Sequence, residues 1–428
     1  MSADLSRSPT PSVGPLSAAD VEGAAKRIAP VVAPTPLQLS DRLSAATGAT
    51  VYLKREDLQS VRSYKLRGAY NLLVQLTEDE IAAGVVCSSA GNHAQGFAYA
   101  CRSLGIRGRV YVPAKTPRQK RDRIRYHGGE FVELIVVGST YDMAAAAALE
   151  DVGQTGATLV PPYDDLRTMA GQGTVAVEIL DQLDGEPDLV VVPVGGGGCI
   201  AGITTYLAER TVSTSVLGVE PAGAAAMMAA LAAGGPVTLD YVDQFVDGAA
   251  VNRAGTLTYG ALAAAGDMVS ITTVDEGAVC TAMIDLYQNE GIIAEPAGAL
   301  SVAAVLEADV APGSVVVCLI SGGNNDVSRY GEVLERSLIH LGLKHYFLVD
   351  FPQEPGALRR FLDEVLGPND DITLFEYVKR NNREFGEALV GIELGSAADL
   401  DDLLARMRST DIQVEAIEPG SPAYRYLL

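Results

Sequence analysis

Cationic side chains are scarce in this chain of 428 residues: 32 Lys and Arg stand against 54 Asp and Glu, for a formal net charge of −22. That balance excludes nucleic acid and anionic membrane surfaces as partners, because both select basic faces. It also means that an anionic ligand must be held by local donors against the field of the whole protein. Cysteine is sparse as well. Cys87, Cys101, Cys199, Cys280 and Cys318 are odd in number, scattered and without C-x-x-C spacing. Neither a disulfide framework nor a zinc site is expected, and a reducing, cytoplasmic setting fits. Long apolar runs are missing too. The most hydrophobic stretch, 189–207, is broken by Pro193 and four consecutive glycines, so it does not read as a membrane span. Residues 1–16 are rich in Ser and Pro and lack an apolar h-region; a disordered tail reaching to residue 20 is expected, not a signal peptide.

What is present describes a folded protein of two or three domains, with 48% hydrophobic and 20% charged residues. Between about 50 and 325, short β-rich runs alternate with Ala-rich stretches of helical length. The strand candidates are 51–54, 84–88, 109–112, 130–137, 189–194, 215–219 and 315–320. They are continuous runs of Val, Ile and Leu, the mark of strands covered on both faces. Helices are expected at 95–104, 141–152 and 171–183, which makes a βαβ organisation with parallel sheets over 21–330. Residues 331–344 read as a helical connector. From 345 to 428 the pattern changes to strand 345–351, helix 357–366, strands 372–379 and 388–394 joined through Asn381-Asn382, helix 399–408 and strand 412–417. That βαββαβ order is a ferredoxin-like unit large enough to fold as its own domain.

Four segments carry chemistry. In Ser63-Tyr64-Lys65-Leu66-Arg67-Gly68, Lys65 lies where an amine that forms an imine would suit, and Arg67 is expected to press its pKa down by like charge. Ser88-Ser89-Ala90-Gly91-Asn92-His93-Ala94-Gln95-Gly96 follows a strand and opens a helix, a setting whose hydroxyl, amide and free N–H groups would bind a small carboxylate. His93, one of only four histidines, is not taken as the general base. Gly195-Gly196-Gly197-Gly198-Cys199 follows a buried strand and precedes a helix, so that successive N–H groups can converge on a phosphate. It is not a P-loop, since no Lys-Ser or Lys-Thr follows. Ser321-Gly322-Gly323-Asn324-Asn325 ends a strand, where the Ser321 hydroxyl can face a ring nitrogen. Each segment alone also reads as a turn and a helix cap; the four together, in this order, do not.

Lys65 in S-x-K-x-R-G, the S-A-G-N-H-A-Q-G run, the tetraglycine loop and S-G-G-N at Ser321 resemble the fold-type II pyridoxal-phosphate enzymes, and more narrowly the biosynthetic threonine deaminases of the short actinobacterial type. The resemblance runs from about residue 20 to the C-terminus. It implies a two-subdomain α/β fold like the tryptophan synthase β chain, followed by an α+β ACT-like regulatory domain. It further implies pyridoxal 5′-phosphate as cofactor and deamination of threonine to 2-oxobutanoate and ammonia. Lys65 would be the imine-forming lysine and the base, Asn92 the partner of the cofactor 3′-oxygen, and Gly195, Gly196, Gly197, Gly198 and Cys199 the phosphate cradle. Ser321 would contact the pyridine nitrogen. Ser89, Ala90, Gly91, Asn92 and His93 would surround the substrate, with Glu295 lining the site. Related racemases carry a serine where this chain has Ala90, which implies elimination without racemisation. They also bind a divalent cation near the segment matching 220–226, where Ala226 replaces an acidic ligand, so no metal is expected. The Phe351-Pro352-Gln353-Glu354-Pro355-Gly356 turn would bind an isoleucine effector, opposed by valine, in a homotetramer. The rival readings are a serine dehydratase or another β-eliminating enzyme, and a non-catalytic effector-binding protein that keeps the cofactor pocket.

Overall fold

The computed structural model describes residues 15–377, 384–410 and 412–418, together with 421, 424 and 427. The first fourteen residues of the expected tail and the Asn381-Asn382 joint lie outside the described residues. Order begins earlier than residue 20. The Ser17 hydroxyl accepts from the Asp20 N–H while the Asp20 carboxylate accepts from the Ser17 N–H, and this reciprocal cap starts the helix Ala18–Ile28. The tail boundary is thereby corrected, by a capping pattern that composition alone hides.

One compact unit holds the described residues up to Asp275 together with Glu290–Asn325. Its strands in chain order are β1 (Leu37–Leu39), β2 (Thr50–Arg55), β3 (Val85–Ser88), β4 (Gly108–Val112), β5 (Val132–Val136), β6 (Thr158–Leu159), β7 (Leu189–Pro193), β8 (Ser215–Pro221), β9 (Val269–Val274) and β10 (Val315–Ile320). Six form a sheet in the order β1-β2-β10-β7-β8-β9, parallel except for the edge strand β1. Four form a second, all-parallel sheet in the order β5-β4-β3-β6. The continuous apolar runs explain the burial: Val190, Val191 and Val192 of β7 and Val316 to Ile320 of β10 are shut off from solvent on both faces. Each sheet has its own core, one around Val192, Ile200 and Leu319, the other around Phe97, Val110 and Leu72.

The helix Lys65–Leu73 packs on the helix Asn92–Leu104 at unusually short range, because Gly96 has no side chain: a Cβ there would lie 3.0 Å from the Lys65 carbonyl carbon. This contact ties the lysine segment to the S-A-G-N-H segment before any ligand is considered.

The second unit holds Glu276–Asn289 and the described residues from Asp326 onward. The helix Tyr330–His340 leads into β11 (Lys344–Pro352), the helix Ala357–Glu364, β12 (Asp371–Tyr377), β13 (Phe385–Glu393), the helix Leu400–Arg408 and β14 (Gln413–Ala416). The sheet is antiparallel in the order β12-β13-β11-β14, the ferredoxin-like arrangement, over a core of Phe347, Phe351, Phe361, Val390 and Leu403. All but the last residue of the helix Glu276–Glu290, and residues 326–330, cluster with this unit, so the division differs from the expected break after 330. A helix buried through Ala278, Val279, Cys280 and Met283 carries no sequence mark of the body it packs on.

Candidate active site

Lys65 is the first residue of its helix, and its Nζ donates to the Pro162 carbonyl at 3.1 Å, 5.1 Å from the centre of the Tyr64 ring. Burial disfavours the ammonium and lowers its pKa to about 8; the nearby Cys199 and Glu295 oppose the shift. Arg67 plays no part in it, which corrects the expectation of like-charge pressure. The Arg67 guanidinium is fully buried and bound to both Glu56 oxygens at 2.7 and 2.8 Å and to Glu178 at 2.7 Å, while Lys54 reaches Glu178 at 2.6 Å. Two cations and two carboxylates close on themselves, so no net positive charge is left to act on the amine.

The amine opens into a cavity of about 720 Å³. Ser89, Ala90, Gly91, Asn92, His93, Gly195 to Gly198, Cys199 and Glu295 line it with Lys65, so one space gathers these expected site residues. Ser321 is not among its lining residues. It is 3% exposed, with its hydroxyl donating to the Ala297 carbonyl at 3.2 Å and its own carbonyl accepting from the Tyr64 N–H at 3.2 Å.

The glycine run works by omission. Gly197 has φ of 91°, and a Cβ at Gly196 would fall 2.3 Å from the Tyr163 ring. From behind, the Thr258 hydroxyl donates to the Gly196 carbonyl at 2.7 Å. The loop thus turns its N–H groups into the N-terminus of the helix Gly198–Arg210, where a phosphate is favoured by both the donors and the helix dipole. Burial pushes the Cys199 thiol up to about 12, so it is neutral there.

Asn92 is held by two partners that are themselves bonded to each other. Its Nδ2 donates to Glu295 Oε1 at 2.5 Å, its Oδ1 accepts from Asn324 Nδ2 at 2.8 Å, and the Asn324 N–H donates to Glu295 Oε2 at 3.2 Å. Burial lifts the Glu295 carboxyl to about 7, helped by the Asp247 charge. Glu295 is therefore a partner of Asn92 and not a free wall group. His93 donates through Nε2 to the Val160 carbonyl at 2.8 Å, and burial lowers it to about 4, which makes it a neutral, anchored ring. The His93 Nδ1 and the Ser88 hydroxyl are buried beside the cavity with no hydrogen-bond partner among the described residues. Unsatisfied polar atoms, a phosphate cradle and a near-neutral amine together fit pyridoxal phosphate.

Glu220, in the segment that resembles the racemases' cation loop, turns its oxygens to the Met227 and Met228 N–H groups at 2.7 and 2.8 Å and so caps the helix Ala226–Ala233. Asn324, Pro162, Tyr163 and Asp164 escaped the sequence reading. Asn324 stood inside a recognised motif, whereas the P-P-Y-D-D turn offered no signal for contacts so far away in the chain.

Comparison with known proteins agrees with this geometry. The pyridoxal-phosphate-dependent enzyme family matches residues 28–322, and the C-terminal regulatory domain of threonine dehydratase matches residues 335–427. The chain is 87% identical to the L-threonine dehydratase biosynthetic IlvA of Mycobacterium bovis, covering 100% of both chains. It belongs to the biosynthetic L-threonine dehydratase family. The same protein of Corynebacterium glutamicum is 61% identical over 96% of this chain and 95% of its own. Among solved structures, the processed threonine deaminase isoform 2 of Solanum lycopersicum is 35% identical with a TM-score of 0.69, covering 76% of this chain and 96% of that one. Maize serine racemase is 30% identical at the same TM-score, covering 76% of this chain and 98% of its own. Pyridoxal phosphate is the cofactor of this dehydratase family, and residues 335–427 of the second unit are its regulatory domain.

Proposed function

We propose that this chain deaminates L-threonine to 2-oxobutanoate and ammonia, the first step of isoleucine biosynthesis. The observation that carries the reading is the meeting of the Lys65 amine, the Gly195–Gly198 loop and Asn92 in one cavity. When bound, pyridoxal phosphate supplies an electron sink for the charge left at Cα. The residues of the chain do the rest. Lys65, with its pKa lowered to about 8, has a sizeable neutral fraction near neutral pH and takes the Cα proton. The free N–H of Asn92 meets an anionic oxygen, and Ser89 with the backbone of Ala90 and Gly91 binds the substrate carboxylate. Ser321 would meet the ring nitrogen only by turning its hydroxyl away from the Ala297 carbonyl. Ala90 has no proton to return from the opposite face, which favours loss of the β-hydroxyl over racemisation. The amino-enoate released on elimination tautomerises and hydrolyses. Turnover of threonine against serine is the test: 2-oxobutanoate formed faster than pyruvate supports the reading, and a reversed preference refutes it in favour of a serine dehydratase.

The regulatory domain is proposed to bind isoleucine, with valine as the opposing ligand, at the turn before the helix Ala357–Glu364. Support comes from Gly356, whose φ of 91° starts that helix without a side-chain cap from its own N-cap residue. A homotetramer in the cytoplasm completes the proposal. Rates measured with added isoleucine test the effector, since an enzyme indifferent to it refutes that part.

A further inference from the structure

Two adjacent aspartates, Asp164 and Asp165, cap two different helices. Asp165 caps its own, Leu166–Gln182, by accepting from the Arg167 and Thr168 N–H groups. Asp164 reaches a helix more than 90 residues further along the chain: its Oδ2 accepts from the Thr256 N–H at 3.0 Å and its Oδ1 from the Leu257 N–H at 2.8 Å. Gly255 makes room for it, since a Cβ there would lie 2.4 Å from Asp164 Oδ1. That helix, Thr256–Ala265, carries Thr258, whose hydroxyl holds the Gly196 carbonyl of the glycine loop; the Gly255 N–H donates to the same carbonyl at 3.2 Å. On the other side of Asp164, Pro162 accepts from the Lys65 amine and Tyr163 packs against Gly196.

We infer that Asp164 is a positioning residue that sets the distance between the Lys65 amine and the phosphate-binding loop, the two points a pyridoxal phosphate must span. Its carboxylate is the fastener between the segment that holds the amine and the helix that holds the loop. The inference rests on the cofactor reading above. Without the carboxylate, the aldehyde end still finds its lysine, but the phosphate no longer meets its donors in register.

The full-length protein, freed of cofactor, is titrated with pyridoxal 5′-phosphate and separately with pyridoxal, and the visible absorbance is followed. Asp164→Ala is expected to weaken the phosphate-bearing ligand by about tenfold, the size of one lost helix cap, and to leave pyridoxal unchanged. Asp164→Asn keeps one acceptor oxygen and should fall between. Thr258→Val should reproduce the loss, and the double variant Asp164→Ala/Thr258→Val should be no weaker than the worse single one, because both act through one helix. Unchanged affinity in Asp164→Ala, or an equal loss for both ligands, overturns the inference. An unsubstituted chain with no preference for the phosphate-bearing form overturns the reading of the glycine loop, and this inference with it.

Discussion

Glu295 Oε1 accepts a hydrogen bond from Asn92 Nδ2 at 2.5 Å, and that bond decides which way the Asn92 amide faces. With Oδ1 taken by Asn324, the remaining Nδ2 hydrogen is the group Asn92 can offer to the cavity. The site therefore presents a donor there, suited to an anionic oxygen.

The same carboxyl makes stability depend on pH. Its pKa is raised from 4.5 to about 7, so the folded protein binds more protons than the unfolded chain between those values. Stability must then fall as pH rises through that window, by up to about 3 kcal/mol from this one group. Thermal unfolding of the cofactor-free Glu295→Gln variant should show a flatter decline from about pH 5 to about pH 8 than the parent. Parallel curves would show that Glu295 titrates normally.

Lys65 should be the reactive amine. With a pKa of about 8, roughly a tenth of it is neutral at pH 7, against less than a thousandth for an ordinary lysine. Brief treatment of the cofactor-free protein with an amine-selective reagent, followed by peptide mass analysis, should find Lys65 modified well beyond its exposure, with a rate rising through pH 8. Modification confined to surface lysines would contradict the lowered pKa.

Arg67→Met removes one partner of a buried network and leaves Glu56 without its ion pair, while Glu178 keeps Lys54. Urea unfolding should show a loss of about 3–5 kcal/mol. The labelling midpoint of Lys65 should stay in place in any folded fraction, because burial and not Arg67 lowers it. A shifted midpoint would restore the like-charge explanation.

Two glycine substitutions should diverge. Gly196→Ala drives a methyl into the Tyr163 ring and should weaken pyridoxal phosphate by about a hundredfold or more, equivalent to roughly 3 kcal/mol of strain. Gly153→Ala, in the helix Tyr141–Thr155 with nothing near its Cβ, should raise stability by about 0.5–1 kcal/mol and leave the cofactor alone. Cofactor titration and melting temperature separate the two.

Buried parallel strands were the most legible feature. The run 315–320 and the start of 189–194 coincide with β10 and β7, because strands covered on both faces must be continuously apolar. The edge strand β9, Val-Ser-Ile-Thr-Thr-Val, was missed since an edge tolerates polar residues and shows no such run. The helix expected from 95 begins at Asn92, so Asn92 and His93 stand in its first turn and not in the preceding bend. Motif residues that touch a ligand were readable as types: a lysine, an amide, four glycines. Their positioning partners were not. Glu295 fastens to Asn92 and Asp164 to Thr256 across long sequence separations, and nothing in local pattern announces a pairing made only by the fold.

The claim that Lys65 is the amine on which the chemistry turns is tested most directly by Lys65→Ala in the full-length protein, measured for the visible absorbance of bound pyridoxal phosphate and for 2-oxobutanoate formed from threonine. We expect both to vanish while the fold is kept. Retention of both would contradict it.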